Sequence, residues 1–198
     1  GVERSVTGKR WRARDADGRL VMTLCQKLEL PELVARVVAA RRIELDDAEI
    51  FLNPTLKVLL PDPAHLIDMA PAVERIIAAI NGGETIAVLG DYDVDGATSA
   101  ALLVRFFSAL GRVVPVYIPD RQKEGYGPNL PALMKLKEEG ATVVITVDCG
   151  TTAYEPLEAA SAAGLDLIVI DHHVAEARLP AGCLVINPNR VDETSPCG

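Results

Sequence analysis

The chain has 198 residues, of which 49% are hydrophobic and 24% charged, and its formal net charge is −8 at pH 7. This length allows one well-cored domain with a small additional segment, and the composition is globular, which excludes an intrinsically disordered protein. The negative charge argues against a protein that grips nucleic acid with its whole surface. A local binding groove, or a site neutralised by metal, remains compatible with it.

The sequence also argues against a membrane-spanning protein and against a protein stabilised by disulfide bonds. No apolar run approaches the roughly 18 residues that a spanning helix needs, and the N-terminus has no apolar stretch typical of a signal peptide. The cysteines lie far apart and form no CxxC pair: Cys25, Cys149, Cys183 and Cys197. We therefore expect reduced thiols, a cytoplasmic location and no membrane contact.

The first 83 residues are predicted to be a basic arm followed by a small helical segment that packs on the domain after it. The first twenty positions contain six basic residues and one tryptophan: Arg4, Lys9, Arg10, Trp11, Arg12, Arg14 and Arg19. An arm that touches a phosphate backbone fits this composition, and so does a solvated terminus, which is the commoner case.

Helical spacing of apolar residues predicts three helices before residue 84. They cover about residues 30–43, 46–52 and 69–80. Asp46 is expected to cap the second helix, and Asn81-Gly82-Gly83 is a good C-terminal stop for the third.

From residue 84 onward, short apolar runs alternate with helical patterns. The predicted strands are Thr85–Gly90, Val113–Ile118, Thr142–Val147, Leu167–Ile170 and Cys183–Ile186. Helices are predicted over about residues 97–110, 130–139 and 152–163. Strands rich in Val, Ile and Leu that alternate with helices indicate an α/β fold, with a parallel sheet and helices on both faces. A polar tail follows the last strand without a closing helix, so we expect the domain of residues 84–198 to be incomplete at its C-terminus.

Three of these strands are followed by Asp or His residues, which are the residue types that commonly ligate metals. Asp91, Asp93 and Asp95 follow the first strand, Asp148 the third, and Asp171, His172 and His173 the fourth. In an open parallel sheet, ligands bind beyond the carboxyl ends of the strands, so we expect these residues to converge. Clustered carboxylates resist ionisation unless a cation lies among them. Carboxylates with imidazole suit manganese, zinc or iron, and carboxylates also hold magnesium.

Two other motifs place acids at similar spacing. The calcium loop of an EF-hand needs a bidentate Glu at its twelfth position, which here is Leu102, and a strand precedes the acids where that motif has a helix. Haloacid-dehalogenase phosphotransferases carry Thr or Val where this chain has Asp95, and they have no use for paired histidines. Neither alternative explains all three strand ends.

The combination of DYDVDG at residues 91–96, DCG at 148–150 and DHH at 171–173 resembles the DHH phosphoesterase superfamily. Within it, the chain is most similar to the RecJ group of single-strand-specific DNA exonucleases. The loop PDRQKEGYGPN at residues 119–129 and the helical segments before residue 84 carry this closer resemblance. It covers nearly the whole chain.

The resemblance implies roles for individual residues. Asp91, Asp93, Asp148 and His172 would be metal ligands, with Asp148 bridging two ions. His173 would face metal or substrate phosphate, and Asp171 would orient the imidazoles. Asp95 would either ligate or cap the following helix. The expected substrate-binding residues of the 119–129 loop are Arg121, Glu124 and Tyr126.

The resemblance also implies an activity. It is two-metal hydrolysis of phosphodiester bonds by Mn²⁺ or Mg²⁺, acting 5′ to 3′ on single-stranded DNA in repair and recombination. Single-strand-binding protein and a helicase would be further partners. A further Asp from a later motif would complete the metal shell. The rival hypotheses are a DHH phosphodiesterase for short oligonucleotides or cyclic dinucleotides, and a DHH scaffold that binds without cutting.

Overall fold

A computed structural model describes residues 3–195. The chain divides into two compact units, one ending at Leu60 and the other starting at Pro61. In residues 3–195, no helix is long and apolar enough to cross a membrane. Cys25, Cys149 and Cys183 are free thiols, whereas Cys197 lies outside the described residues.

The first unit is a small helical cluster. Its helices are α1 (Gly18–Lys27), α2 (Glu32–Ala40), α3 (Leu45–Leu52) and the single turn α4 (Leu56–Leu59). The core consists of Val21 and Leu24 of α1, Val38 of α2 and Ala48 of α3, all buried, together with Ala35 and Ala39. Burial of these side chains is what holds the short helices in place, because helices of this length are marginal alone.

The second unit alternates strands with helices. Its helices are the 3₁₀ turn Pro63–His65, α5 (Met69–Gly82), α6 (Val94–Ala109), α7 (Leu130–Glu138) and α8 (Tyr154–Ala162). Its strands are β1 (Thr85–Gly90), β2 (Val116–Tyr117), β3 (Ala141–Val147), β4 (Asp166–Ile170) and β5 (Cys183–Ile186).

The five strands form one parallel sheet in the order β2-β1-β3-β4-β5. From β1 the chain moves outward to β2, then crosses back to β3 on the other side and continues to β4. The strand order therefore reverses between β1 and β3. That point, at the carboxyl ends of the strands, is where open sheets of this kind bind their ligands.

Helices cover both faces of the sheet, which confirms the predicted α/β class. On one face, buried residues of α5 and α6 pack against β1 and β3, including Ala79, Ala100 and Phe107. On the other face, α7 and α8 contribute Leu133, Leu136 and Leu157. Because every central strand is buried on both sides, its sequence is continuously apolar and does not alternate.

Two helices of the first unit, α1 and the single turn α4, were not predicted, and α3 differs from its prediction in its cap. The pattern of residues 18–27 was not predicted as a helix. Asp17 caps α1 by accepting a hydrogen bond from the Arg19 backbone, and the apolar face that this helix buries is narrow. The prediction that Asp46 caps α3 is wrong: Glu44 precedes that helix, and Asp46 lies in its first turn.

Strand β2 is shorter than the predicted Val113–Ile118. Pro115 has no backbone N–H, so it cannot donate within the ladder and only its carbonyl pairs, with the nitrogen of Val88. Val113 is almost fully exposed. An apolar run at a sheet edge therefore yields two paired residues, Val116 and Tyr117.

Helix α6 starts at Val94, three residues before its predicted start. The Asp93 carboxylate accepts hydrogen bonds from the backbones of Asp95 and Gly96 and so caps the helix. Gly96 lies in this first turn against the end of β1. A Cβ atom there would lie 2.6 Å from the Asp91 nitrogen, and real Cβ atoms do not approach backbone so closely.

We expect Gly96→Ala to destabilise the protein by about 3 kcal/mol, because α6 must move away from the strand end to admit the methyl group. Chemical denaturation monitored by circular dichroism measures this change. Gly82→Ala is the matched control, since a Cβ at Gly82 would meet only the Glu84 side chain at ordinary distance. That substitution should be neutral or mildly stabilising. Equal stability of the two variants would contradict the close contact.

Candidate metal centre

The three acids that directly follow β1, β3 and β4 lie side by side because each continues the ladder of its neighbouring strand. The nitrogen of Asp91 donates to the carbonyl of Val147 (3.3 Å) and the nitrogen of Asp148 to that of Ile170 (2.9 Å). The nitrogen of Asp171 likewise donates to the carbonyl of Ile186 (3.1 Å). The sheet thus places the three strand ends in register at one edge.

Asp91, Asp93 and Asp148 form a carboxylate cluster, in which one oxygen from each residue lies within 4.8 Å of the others. Asp91 is 2% exposed, and its Oδ1 is buried without a hydrogen-bond partner in the part of the chain that the structure describes. A buried carboxylate oxygen without a donor is costly unless a cation binds it. The donor set therefore fits a hard divalent ion such as Mn²⁺ or Mg²⁺.

The acids of this cluster are electrostatically unequal. The backbone N–H of Gly96 is the main reason that the pKa of Asp93 lies below its usual value. Burial, followed by the neighbouring Asp93, raises the pKa of Asp148. Asp148 also adopts the left-handed conformation, with φ at 61°. A buried acid held in such a conformation beside another acid is typical of a functional site.

The two histidines lie beside the cluster and contact different acids. His172 Nε2 lies 3.0 Å from Asp148 Oδ1, and His173 Nδ1 lies 2.7 Å from Asp171 Oδ1. Ligand atoms of Asp148, His172 and His173 form a second group within 4.8 Å. Asp148 therefore belongs to both groups of candidate ligands.

Asp171 is buried, and hydrogen bonds surround its carboxylate. One oxygen accepts from the backbone of Thr151, and the other accepts from the backbones of His172 and His173. Burial raises the pKa of Asp171, but the hydrogen bonds from Thr151 and His173 outweigh it and hold the pKa below its usual value. The same Asp171 carboxylate raises the pKa of His173.

Asp95 is exposed in the first turn of α6. It lines a cleft of about 250 Å³ together with Asp148 of the carboxylate cluster, Asp171 and His172. The alternative that Asp95 caps the helix is wrong, because Asp93 occupies the cap position. Among the described residues, Asp95 belongs to neither ligand group.

The loop of residues 119–129 reaches the centre through Tyr126. The Tyr126 hydroxyl donates to the carbonyl of Asp148 (3.2 Å) and lies 3.4 Å from the ring nitrogens of His173. The Glu124 carboxylate is hydrogen-bonded to nearby residues. Its oxygens accept from the Tyr117 hydroxyl and the Asp120 backbone, both at 2.7 Å. These contacts shape the loop.

Arg121 lies at the outer side of the same loop. Its guanidinium carbon is 5.2 Å from the centre of the Tyr92 ring, a cation–π distance. The Tyr92 and Tyr126 rings meet edge to face at 6.3 Å. An exposed cation and two tyrosines therefore line the approach to His173.

Two residues that support the histidine turn were not predicted. Asn187 is fully buried, and its amide donates to the Thr151 hydroxyl (2.8 Å) and to the carbonyl of His173 (2.9 Å). Asn189 donates to the carbonyl of His172. A polar residue directly after a buried strand was the available signal, but Asn-Pro-Asn is also an ordinary turn sequence.

Comparison with known proteins identifies the class. The model of the DHH family, N-terminal domain, matches residues 85–198. The chain therefore belongs to the DHH family.

Among curated proteins, the chain is similar to the single-stranded-DNA-specific exonuclease RecJ. It is 37% identical to RecJ of Bacillus subtilis over 188 residues, which cover 94% of this chain and 24% of that protein. It is 36% identical to RecJ of Escherichia coli over 165 residues, 83% of this chain and 28% of that protein. The chain thus spans about a quarter of the length of these relatives.

A solved structure agrees. The crystal structure of RecJ in complex with Mn²⁺ from Thermus thermophilus matches with a TM-score of 0.67 and 30% identity, over 89% of this chain and 24% of that one. The parallel sheet and its flanking helices are thus shared with a RecJ structure.

We expect Asn187→Ala to lower the free energy of unfolding by about 2–3 kcal/mol, because it leaves the Thr151 hydroxyl and the His173 carbonyl buried without their donor. It should also move the side-chain ¹⁵N resonances of His172 and His173, which NMR measures directly. Asn81→Ala, at an exposed position on α5, is the control and should change neither quantity. Unmoved histidine resonances in a destabilised Asn187→Ala variant would contradict the positioning role.

Proposed function

We propose that this chain is the catalytic portion of a metal-dependent exonuclease that hydrolyses single-stranded DNA. The observation that carries the proposal is the position of Asp148, which belongs both to the carboxylate cluster and to the histidine group. Such an arrangement suits a carboxylate that bridges two ions. The similarity to RecJ proteins supports the substrate, and the Mn²⁺ complex of the Thermus protein supports the metal.

The proposed ligands are Asp91, Asp93, Asp148 and His172. Asp91 offers its unpartnered buried oxygen. Asp93 uses Oδ1 to cap α6 and keeps its second oxygen for an ion. Two bound divalent ions would supply the positive charge that activates water and stabilises the phosphorus centre during hydrolysis.

The remaining residues position the histidines and the substrate. Asp171 holds His173 through Nδ1, so the opposite ring nitrogen can serve a phosphate or an ion. Arg121 offers a planar guanidinium suited to phosphate oxygens. Tyr126 is half-exposed beside His173 and suits stacking on a base or sugar. Glu124 supports this loop from within, and Asp95 stays available at the cleft next to His172.

We further propose residues 84–198 as the DHH domain and the preceding helical segment as an addition to it. Single-strand-binding protein and a helicase are proposed partners, and the cytoplasm is the proposed location. These proposals rest on the similarity to RecJ proteins.

We expect Asp148→Asn to abolish metal-dependent hydrolysis in the full-length protein that contains this chain. The substitution keeps the shape but removes the charge that two ions would share. The loss of rate should be at least about a thousandfold, equivalent to about 4 kcal/mol of transition-state stabilisation. Release of nucleotides from a labelled single strand measures the rate, and calorimetric Mn²⁺ titration measures ion binding.

Asp47→Asn is the matched control, because Asp47 is an exposed acid of α3. It should retain both activity and Mn²⁺ affinity. An Asp148→Asn enzyme that still cleaves at the wild-type rate would reject the assignment of the centre.

We expect the full-length protein to digest long single-stranded DNA with Mn²⁺, to lose this activity in EDTA and to regain it when Mn²⁺ is added back. Duplex DNA with blunt ends should be digested far more slowly. A panel that also contains dinucleotides, cyclic dinucleotides and pyrophosphate defines the substrate class. Cleavage of these small compounds with long strands left intact would replace the proposed substrate. Binding of single strands without any cleavage would indicate a scaffold.

A further inference from the structure

Positive charge is concentrated in the first compact unit. Before Pro61 the sequence contains eleven Lys and Arg against nine Asp and Glu, whereas from Pro61 onward it contains nine against nineteen. The second unit is thus strongly acidic, although it carries the candidate metal centre. A polyanionic substrate would be attracted to the first unit by charge, and repelled by much of the second.

Within residues 3–195, seven arginines of the first unit have no side-chain partner, and five of these lie on the arm of residues 9–14 or directly after α2. No side chain in this set makes an ion pair or hydrogen bond within residues 3–195: Arg10, Arg12, Arg14, Arg41 and Arg42. In the second unit, by contrast, Arg75 pairs with Glu84, Arg178 with Glu158 and Arg190 with Asp68. The unpaired guanidiniums therefore remain free for a ligand.

Three of these arginines line one cavity. Arg14, Arg41 and Arg42 surround a space of about 490 Å³, whose other lining residues are Asp15 and Ala40. The C-terminal end of α2 stabilises positive charge at Arg41 and Arg42. It does not account for Arg14, which belongs to the extended arm before α1 and faces the same cavity. The phosphate groups of a polyanion are the simplest ligands for these guanidiniums.

The arm adds an aromatic side chain to this charge. Trp11 is the single tryptophan of the sequence, is 66% exposed and lies between Arg10 and Arg12. Because Trp11 is mostly exposed, its ring is accessible to a ligand. Aromatic rings interleaved with cations are how proteins bind single strands, because unpaired bases stack on the ring while cations contact phosphates.

We propose that the arm of residues 9–14, together with Arg41 and Arg42, is a binding surface for single-stranded polynucleotide. Trp11 stacks on an unpaired base, and Arg14, Arg41 and Arg42 contact successive backbone phosphates. The proposal deepens the proposed function, because it adds a contact for the same substrate on a unit that carries no candidate ligand of the metal centre.

The test is a titration of the chain with a twenty-nucleotide oligo(dT) in EDTA, at several salt concentrations. Trp11 fluorescence should be quenched on binding. Replacing Arg14, Arg41 and Arg42 together by Ala should lower the slope of log K against log salt by about 2, since each phosphate contact on a single strand contributes about 0.7. Trp11→Ala should weaken binding about fivefold or more. Because this variant lacks the tryptophan, its binding is measured by the fluorescence anisotropy of a labelled strand.

The matched control removes three other charges from the same unit, by Lys27→Ala, Arg36→Ala and Lys57→Ala. Thermal unfolding checks that both triple variants stay folded. Equal salt slopes for the two variants, or the absence of Trp11 quenching, would overturn the proposal. Equal affinity for blunt duplex would reject single-strand binding, and binding only to vesicles of anionic lipid would assign the surface to membranes. Because EDTA prevents hydrolysis, an inactive metal centre would leave this result unaffected.

Discussion

The geometry of the candidate centre depends on the hydrogen bonds around the Asp171 carboxylate. One oxygen holds the turn after β3 through the backbone of Thr151, and the other holds the turn after β4 through the backbones of both histidines. The two turns are thereby fixed to each other, as well as to the sheet. Since Asp171 is buried, removal of any donor would leave the charge of its carboxylate poorly solvated in the protein interior. The candidate metal ligands therefore depend on this arrangement for their positions.

The carboxylate cluster differs from Asp171, because hydrogen-bond donors do not fully surround its acids. Asp91 and Asp148 are buried acids next to Asp93, and one oxygen of Asp91 has no donor among the described residues. Such a cluster lowers the stability of the protein by itself, and a cation would recover that energy on binding. The DHH domain therefore combines a rigid support at Asp171 with an under-satisfied cluster at Asp91. The first fixes the positions of the candidate ligands, and the second would favour the binding of a cation.

Most of the sheet was predictable, because the strands are buried on both faces and leave continuous apolar runs in the sequence. The convergence of Asp91, Asp148 and Asp171 followed from parallel topology alone. Local details were not predictable in this way. The cap of α6 is Asp93 and not Asp95, because the helix starts at Val94 and the Asp93 carboxylate accepts from the backbones of Asp95 and Gly96. Asn187 was overlooked because its partners, Thr151 and His173, are distant in sequence and meet only in the fold.

The buried position of Asn187 also affects the order in which the centre can assemble during synthesis. Proteins emerge from the ribosome with the N-terminus first. The acids at Asp91 and Asp148 are therefore available long before Asn187, whose amide holds the carbonyl of His173. Until the last strand has been added, the histidine turn lacks this support and its backbone carbonyl stays unpaired. The histidine turn of the candidate centre therefore gains its full support only after β5 and Asn187 have been synthesised.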